Sequence, residues 1–266
     1  PGLARHNRSG LAGLGIDLTQ HQLSARNLLD IERVRLGAQA PAPDAFTALK
    51  DEHDFVLTTM GRMSMEKNQA ALIEAVALLR EQDGARSDDP GDGTEDDSAQ
   101  GLNIGLAIVG SGVLEGTLRA RIDSLGLAGH VTLLGQMDNP FPVLGGADLF
   151  VLPSLHEGQP VTLLEAMTLG TGVVASDLPG NRELIDLGYG VLSGTSPQDI
   201  AQAIRTVLAD PLRARGIFDV QEHNARSLRD TLDAVLGSEA LHQQSKEDEA
   251  SPRSRCSRAA SQGAIA

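Results

Sequence analysis

The sequence predicts an α/β domain built on a doubly wound parallel sheet. From about Asp54 to Leu208, apolar runs typical of buried strands alternate with segments whose apolar residues recur at helical spacing. Aromatic residues make up only 2% of the chain, so the core must consist of Leu, Val, Ile and Ala, as is usual in buried parallel sheets. We therefore expect six parallel strands in the order 3-2-1-4-5-6, with helices on both faces.

Each predicted strand is a short apolar run. The strands cover residues 55–60, 103–109, 130–134, 148–152, 172–176 and 190–192. Each predicted helix follows a strand, and the first of them places Ile73, Val76 and Ala77 on one apolar face. The helices cover residues 66–81, 113–125, 142–146, 160–169, 181–187 and 197–208, with a last helix over 217–236.

Three segments fall outside this alternation. Residues 1–50 are thinly patterned and are assigned as an N-terminal or interdomain segment that precedes a domain at 51–237. Residues 83–100 are rich in Asp, Gly and Ser and have no apolar anchor, so they are predicted to be a disordered acidic insertion. Residues 238–266 are polar and are predicted to form a disordered tail.

Composition narrows the classes of partner. A formal net charge of −14 argues against nucleic-acid binding. The single cysteine, Cys256, indicates a reducing, cytoplasmic setting without a disulfide framework. The sequence has no signal-peptide pattern and no run of about 18 apolar residues, so we expect no membrane span. Peripheral membrane contact stays open.

The most informative stretch contains two glutamates eight positions apart, Glu157 and Glu165. Glu157 lies on the loop between a predicted strand and a helix with Pro160 in its first turn, and ligands of open α/β sheets bind at such loops. Glu165 lies in an apolar part of that helix and needs a partner, since an unpaired buried charge is costly. Sugar or ribose hydroxyls would serve. The alternatives are a solvated Glu157 and a Glu165 paired with a buried Arg or Lys.

A second candidate loop follows the first strand. Gly61 permits a tight turn, and Arg62 and Lys67 bring two cations to a helix start, which suits a diphosphate. Alternatively, Arg62 is a structural ion-pair partner and Lys67 is solvated. After the second strand, Gly110 and Gly112 form either a loop that approaches the nucleotide or a tight turn, because a lone Gly-x-Gly is a weak motif.

The glutamate motif and the residues after it resemble the donor-binding half of the retaining glycosyltransferases of family 4, which have the two-domain GT-B fold. The residues that extend the resemblance beyond the two glutamates are Gly170, Val173, Val174, Ala175, Gly180, Glu183 and Gly190. It covers residues 50–236 and implies that the predicted sheet is the Rossmann-like C-terminal half of such an enzyme, of the hexosyltransferase type. The acceptor-side half has no room in the first 50 residues.

The resemblance also implies roles for the candidate residues. Arg62 and Lys67 would hold the nucleotide diphosphate and stabilise its charge as it leaves, Glu157 would hold sugar hydroxyls, and Glu165 would bind the ribose. Other donor contacts would come from Gly61, Gly110, Gly112, Gln136, Met137, Gly158, Gln159, Pro160 and Val161. The implied substrate is a nucleotide-diphosphate sugar, transferred with retention and without a metal or cofactor. The acceptor would be a glycan, a cell-envelope polymer or a lipid-linked molecule.

The chain departs from the family pattern at three positions, and other functions compete. Gln159 and Pro160 replace a common aromatic residue and glycine, and Gly172 replaces a common proline. The first alternative is a non-catalytic nucleotide-sugar-binding module or a truncated fragment that is inactive without an N-terminal domain. A dinucleotide-binding oxidoreductase would need Gly-x-Gly-x-x-Gly after the first strand, where only Gly61 occurs. A glycoside hydrolase would need a cleft between paired carboxylates.

Overall fold

The structure is a computed structural model that describes residues 28–84, 103–158, 160–186, 189–216 and 218–230. Leu29–Val220 forms one compact unit. A second unit includes residues 221–230, which are helical. Most of the predicted acidic insertion and all of the predicted tail lie outside the described residues. No helix within the described ranges is long and apolar enough to cross a membrane.

The compact unit contains one parallel sheet of six strands, in the order β3-β2-β1-β4-β5-β6. This confirms the predicted fold class and strand order. The strands are β1 (Phe55–Met60), β2 (Ile104–Val109), β3 (Val131–Gly135), β4 (Leu149–Leu152), β5 (Gly172–Ser176) and β6 (Val191–Ser193). Because all strands are parallel, their carboxyl ends meet at one edge of the sheet.

Helices connect the strands and cover both faces. They are α1 (Ile31–Gly37), α2 (Asp44–Glu52), α3 (Gln69–Gly84), α4 (Glu115–Ser124), α5 (Phe141–Gly146), α6 (Val161–Thr168), α7 (Pro179–Ile185) and α8 (Pro197–Ala209). Two 3-10 turns, Met65–Lys67 and Pro211–Ala214, also lie in this unit.

The core shows why these strands are buried on both sides. Leu57 and Leu106 lie in one cluster with residues of α3, α4 and α8, including Leu72 and Ile204. The neighbouring residues Val56 and Ala107 lie in a different cluster, with Phe46 and Leu49 of α2. Successive residues of a strand thus face opposite layers of helices, so nearly every strand position is apolar.

Two helices in the N-terminal segment were not predicted. The Asp30 carboxylate caps α1 by accepting a 3.0 Å hydrogen bond from the Arg33 amide. On α2, only Phe46 and Leu49 are buried, so this helix carries a short apolar stripe among charged residues. Such a stripe is too weak a periodic signal to predict a helix from sequence alone.

Several predicted boundaries were wrong, and the largest shift has a clear cause. The helix predicted from Glu66 begins at Gln69, because Asn68 adopts the left-handed conformation (φ 53°) and separates the 3-10 turn from α3. The helix predicted from Asn181 begins two residues earlier, at Pro179. Pro160 is the N-cap of α6 and does not lie within its first turn.

Candidate functional site

The loops after β1 and β2 approach each other at the carboxyl edge of the sheet. The Gly61 amide donates to the Val109 carbonyl (3.0 Å), and the Gly110 amide donates to the Gly135 carbonyl (2.8 Å). A Cβ at Gly110 would lie 2.1 Å from the Gly61 carbonyl oxygen, and one at Gly112 would lie 2.4 Å from that of Met63. Both glycines are therefore required for the close approach of the two loops, as the tight-turn interpretation expects.

The structure joins the two principal candidate residues. The Lys67 ammonium lies 2.5 Å from Oε1 of Glu157, although 90 residues separate them in the chain. The Glu157 side chain is only 9% exposed and that of Lys67 is 28% exposed. Neither residue is simply solvated, in contrast to the alternatives considered for the sequence. Water screens this ion pair less than it would a pair at the surface.

Hydrogen bonds hold the Glu157 loop against the ends of β4 and β5. The buried Ser154 hydroxyl donates to Oε1 of Glu157 (2.7 Å), and the Ser154 carbonyl accepts from the hydroxyl of Ser176 (2.6 Å). The Ser176 carbonyl in turn accepts from the side-chain amide of Asn181 on α7 (2.8 Å). The Glu157 carboxylate is therefore linked through Ser154 to the end of β5 and to α7.

Asn68 ties together three strand-end loops. Its side-chain amide donates to the carbonyls of Pro153 (3.1 Å), after β4, and Thr195 (2.9 Å), after β6. The Leu155 amide adds a 2.7 Å hydrogen bond to the Glu66 carbonyl. These contacts hold the turn that carries Lys67 against the loop that carries Glu157.

Sequence reasoning assigned no role to Asn68, Ser154 or Ser176. One signal was present, because short polar side chains stand directly at the ends of apolar runs, where strand-end loops need hydrogen bonds. Asn is also the residue other than glycine that most often adopts the left-handed conformation.

Arg62 is a second cation on the segment between β1 and α3 that carries Lys67. Its side chain is exposed, and no acceptor in the described residues lies within hydrogen-bond distance of its guanidinium. The interpretation of Arg62 as a structural ion-pair partner is therefore not supported within those ranges. The neighbouring Glu66 is also exposed, and a hydrogen bond with Ser64 holds its pKa below the ordinary value, with smaller contributions from Arg62 and Lys67.

Glu165 is half-buried on α6, and the alternative of a buried Arg or Lys as its hydrogen-bond partner is not seen in the described residues. No donor in the described part of the chain lies within hydrogen-bond distance of its carboxyl group. Burial raises the pKa of Glu165 to about 7, and the positive charge of Arg33 on α1 opposes that shift. Glu165 makes no hydrogen bond with Lys67 or Glu157, so it lies outside their network.

The other candidate residues occupy the same edge. Gln136 follows β3 and is exposed, whereas Met137 packs partly against the core beneath α2. Gly158 and Val161 flank the buried N-cap Pro160, and Gln159 lies outside the described residues. Pro160 gives α6 no side-chain cap. The Leu163 amide is bonded to the Pro160 carbonyl, so the Val161 and Thr162 amides are the first-turn donors without an acceptor in the described residues and are available to an anion. The described residues contain no group of three or more His, Cys, Asp or Glu side chains placed to hold a metal.

Comparisons with known proteins agree with this architecture. The Anabaena protein HepE, crystallised with UDP-glucose, superposes with a TM-score of 0.57 at 22% identity, over 82% of this chain and 56% of that one. The C-terminal domain of a group 1 glycosyl transferase from Francisella tularensis superposes with a TM-score of 0.50 at 19% identity, over 70% of this chain and 91% of that one. These similarities establish the fold.

Sequence relatives lead to the same family. An uncharacterized glycosyltransferase of Methanocaldococcus jannaschii is 30% identical over 161 residues, which are 60% of this chain and 35% of that protein. A Mycobacterium tuberculosis protein named GDP-mannose-dependent alpha-(1-6)-phosphatidylinositol dimannoside mannosyltransferase is 28% identical over 163 residues, or 60% and 37% of the two chains. The chain thus spans little more than a third of these relatives. The family described as "Glycosyl transferases group 1" matches residues 43–244, and the chain belongs to this family.

Proposed function

We propose that this chain supplies the donor site of a glycosyltransferase that moves a sugar from a nucleotide-diphosphate sugar to an acceptor hydroxyl, with retention of the anomeric configuration. The observation that carries the proposal is the contact between Lys67 and Glu157. In a nucleotide sugar, the outer phosphate and the sugar are covalently joined. A site for this ligand needs a cation and an acceptor of hydroxyl hydrogens side by side, and these two residues provide both.

The transfer breaks the bond between the anomeric carbon and a phosphate oxygen, and the electron pair stays on the diphosphate. The acceptor oxygen bonds to that carbon and releases its proton. Lys67, the exposed Arg62 and the uncapped amides of α6 would stabilise the negative charge that develops on the leaving group. Glu157 would accept hydrogen bonds from the sugar and face the positive charge that develops on it. Retention is inferred from the resemblance of the glutamate motif.

A ligand panel tests the donor site. At least one of four ligands should raise the midpoint of thermal unfolding of the chain. The four are UDP, GDP, UDP-glucose and GDP-mannose. Ligand at about 100 times its Kd should stabilise the protein by about 2.7 kcal/mol. NAD serves as the comparison for a dinucleotide-binding protein and should give no shift. Stabilisation by NAD alone would contradict the proposal.

The anomer of the released sugar tests retention. The chain, incubated with the nucleotide sugar that it binds and with water or a glycan as acceptor, should release nucleoside diphosphate. NMR should detect the sugar first in the anomeric configuration that it had in the donor. The opposite anomer would contradict retention, and donor binding without any release would favour a non-catalytic binding module or a fragment that is inactive without an N-terminal domain.

A further inference from the structure

Lys67 and Glu157 form an ion pair within the proposed donor site, so the binding of a ligand to one of them affects the other. Each residue is proposed to contact a different part of the donor, yet in this structure they contact each other at 2.5 Å. Within the described residues, Lys67 has no other ion-pair partner, whereas Oε1 of Glu157 also accepts from Ser154. Any ligand that recruits Lys67 must therefore change the environment of Glu157.

A diphosphate that binds at Lys67 destabilises the Glu157 carboxylate in either of two ways. If it draws the Lys67 ammonium away, the largely buried carboxylate keeps only the Ser154 hydroxyl and loses its compensating charge. If the ammonium instead contacts both groups, phosphate and carboxylate lie within a few ångströms of each other and repel. Both arrangements weaken the binding of a nucleoside diphosphate by itself.

A sugar attached to the diphosphate removes this unfavourable effect on the Glu157 carboxylate. Its hydroxyl groups are hydrogen-bond donors, and a carboxylate is an acceptor with about four lone-pair sites. When the sugar reaches Glu157, its hydroxyls replace the lost contact with Lys67. The free nucleoside diphosphate has no group that can do this at the sugar position.

We propose that the Lys67–Glu157 ion pair makes the site select the intact nucleotide sugar over the nucleoside diphosphate that the reaction releases. Glu157 is then a specificity-determining residue that disfavours retention of the product. This inference rests on the proposed function, because it takes the diphosphate to bind at Lys67.

The test measures the affinity of UDP and of GDP for four variants by calorimetry. Glu157→Gln keeps the size of the side chain and an oxygen for Ser154 but removes the charge. Glu66→Gln is the matched control, because Glu66 lies next to Lys67 in the chain but is exposed and does not pair with it. The others are Lys67→Ala and Lys67→Ala combined with Glu157→Gln. Thermal unfolding without ligand confirms that each is folded, and Glu157→Ala replaces any Glu157→Gln protein that is not.

The expected result is that Glu157→Gln binds the nucleoside diphosphate about three- to fivefold more tightly than the unmodified chain, the upper part of the range that a partly exposed ion pair is worth. Glu66→Gln should stay within about twofold, because an exposed charge is screened. In the Lys67→Ala background, Glu157→Gln should bring no gain. Unchanged or weaker binding by Glu157→Gln overturns the inference, as does an equal gain in the absence of Lys67. If no variant binds UDP or GDP, the proposed function itself fails.

Discussion

The Ser154 hydroxyl donates a 2.7 Å hydrogen bond to the same oxygen of Glu157 that the Lys67 ammonium contacts. Ser154 is fully buried, and its carbonyl is bonded to Ser176 of the neighbouring strand. The carboxylate is therefore attached to the sheet itself, although it lies on a loop. A carboxylate held in this way is oriented before any ligand arrives, which lowers the entropic cost of binding.

Ser154→Ala should lower the free energy of unfolding by about 1.5–3 kcal/mol, the range for hydrogen bonds to charged groups. Urea denaturation measures this loss. Ser124→Ala is the matched control, because the Ser124 hydroxyl is exposed and, among the described residues, donates to the carbonyl of Arg121 alone. It should change stability by less than about 0.5 kcal/mol. Equal losses in the two variants would show that Ser154 has no special role.

Asn68 should be sensitive to both backbone and side-chain changes. Asn68→Gly tolerates the left-handed backbone but loses the two hydrogen bonds to Pro153 and Thr195, at a cost of about 1–3 kcal/mol. Asn68→Ala loses the same bonds and adds about 1 kcal/mol of backbone strain. Chemical denaturation should thus rank the original protein above the Gly variant and the Gly variant above the Ala variant. An Ala variant as stable as the Gly variant would contradict the strained backbone.

Gly110→Ala should be severely destabilising, by about 3 kcal/mol or more, because the new Cβ would lie 2.1 Å from backbone at Gly61 and the φ of 131° disfavours a side chain. Gly129→Ala is the control, since nothing lies within 4 Å of its Cβ position. Circular dichroism during heating should separate the two variants clearly. A Gly110→Ala protein as stable as Gly129→Ala would mean that the two loops can move apart freely.

Much of the fold could be predicted because the strand signal is strong. Six apolar runs of the length of strands, each followed by a helical pattern, leave few alternatives for a doubly wound sheet. The prediction failed where contacts between distant residues, and not the local sequence, determine where an element begins. An Asn can adopt the left-handed conformation, but the local sequence does not show that Asn68 ends the helical pattern there, because its side chain binds two carbonyls more than 80 residues away.

The structure brings two of the candidate residues, Lys67 and Glu157, into contact, and the sequence did not predict this contact. The resemblance pointed to Lys67 and Glu157 individually, but a contact across 90 residues follows from strand order and loop shape, not from spacing. The expected partner for Glu165 was inferred from the cost of burying a charge. Within the described residues the protein provides no hydrogen-bond donor for this carboxyl group, and burial raises its pKa to about 7.

The raised pKa of Glu165, about 7, predicts how stability depends on pH. The folded protein binds a proton here more tightly than the unfolded chain, whose carboxyl group titrates near 4.5. The free energy of unfolding should therefore fall as pH rises between these two values and level off above the upper one. Glu165→Gln resembles the protonated form. It should gain stability relative to the original protein as pH rises from about 4.5 to 8, and a constant difference would contradict the shift.

Proton release on ligand binding tests the proposed contact between Glu165 and the ribose. Ribose hydroxyls that donate to this carboxylate would favour its charged form and lower its pKa. Calorimetric titration of the protein with the nucleotide that it binds should show that protons are released. The titration is carried out near pH 6.5 in buffers with different enthalpies of ionisation. Glu165→Gln should abolish the release. If binding releases no protons in the original protein, Glu165 does not contact the nucleotide.

Whether Lys67 holds the diphosphate is tested by the affinity of Lys67→Ala for UDP and GDP, measured by calorimetry below the unfolding temperature of the variant. If Lys67 holds the diphosphate, the variant should bind more weakly by about 1–3 kcal/mol, the scale of a charge-assisted hydrogen bond. Arg119→Ala is the control, because Arg119 is an exposed cation paired with Glu115 on α4. It should leave the affinity unchanged. Equal affinity in Lys67→Ala and the original protein would show that Lys67 does not bind the diphosphate and is not part of the donor site.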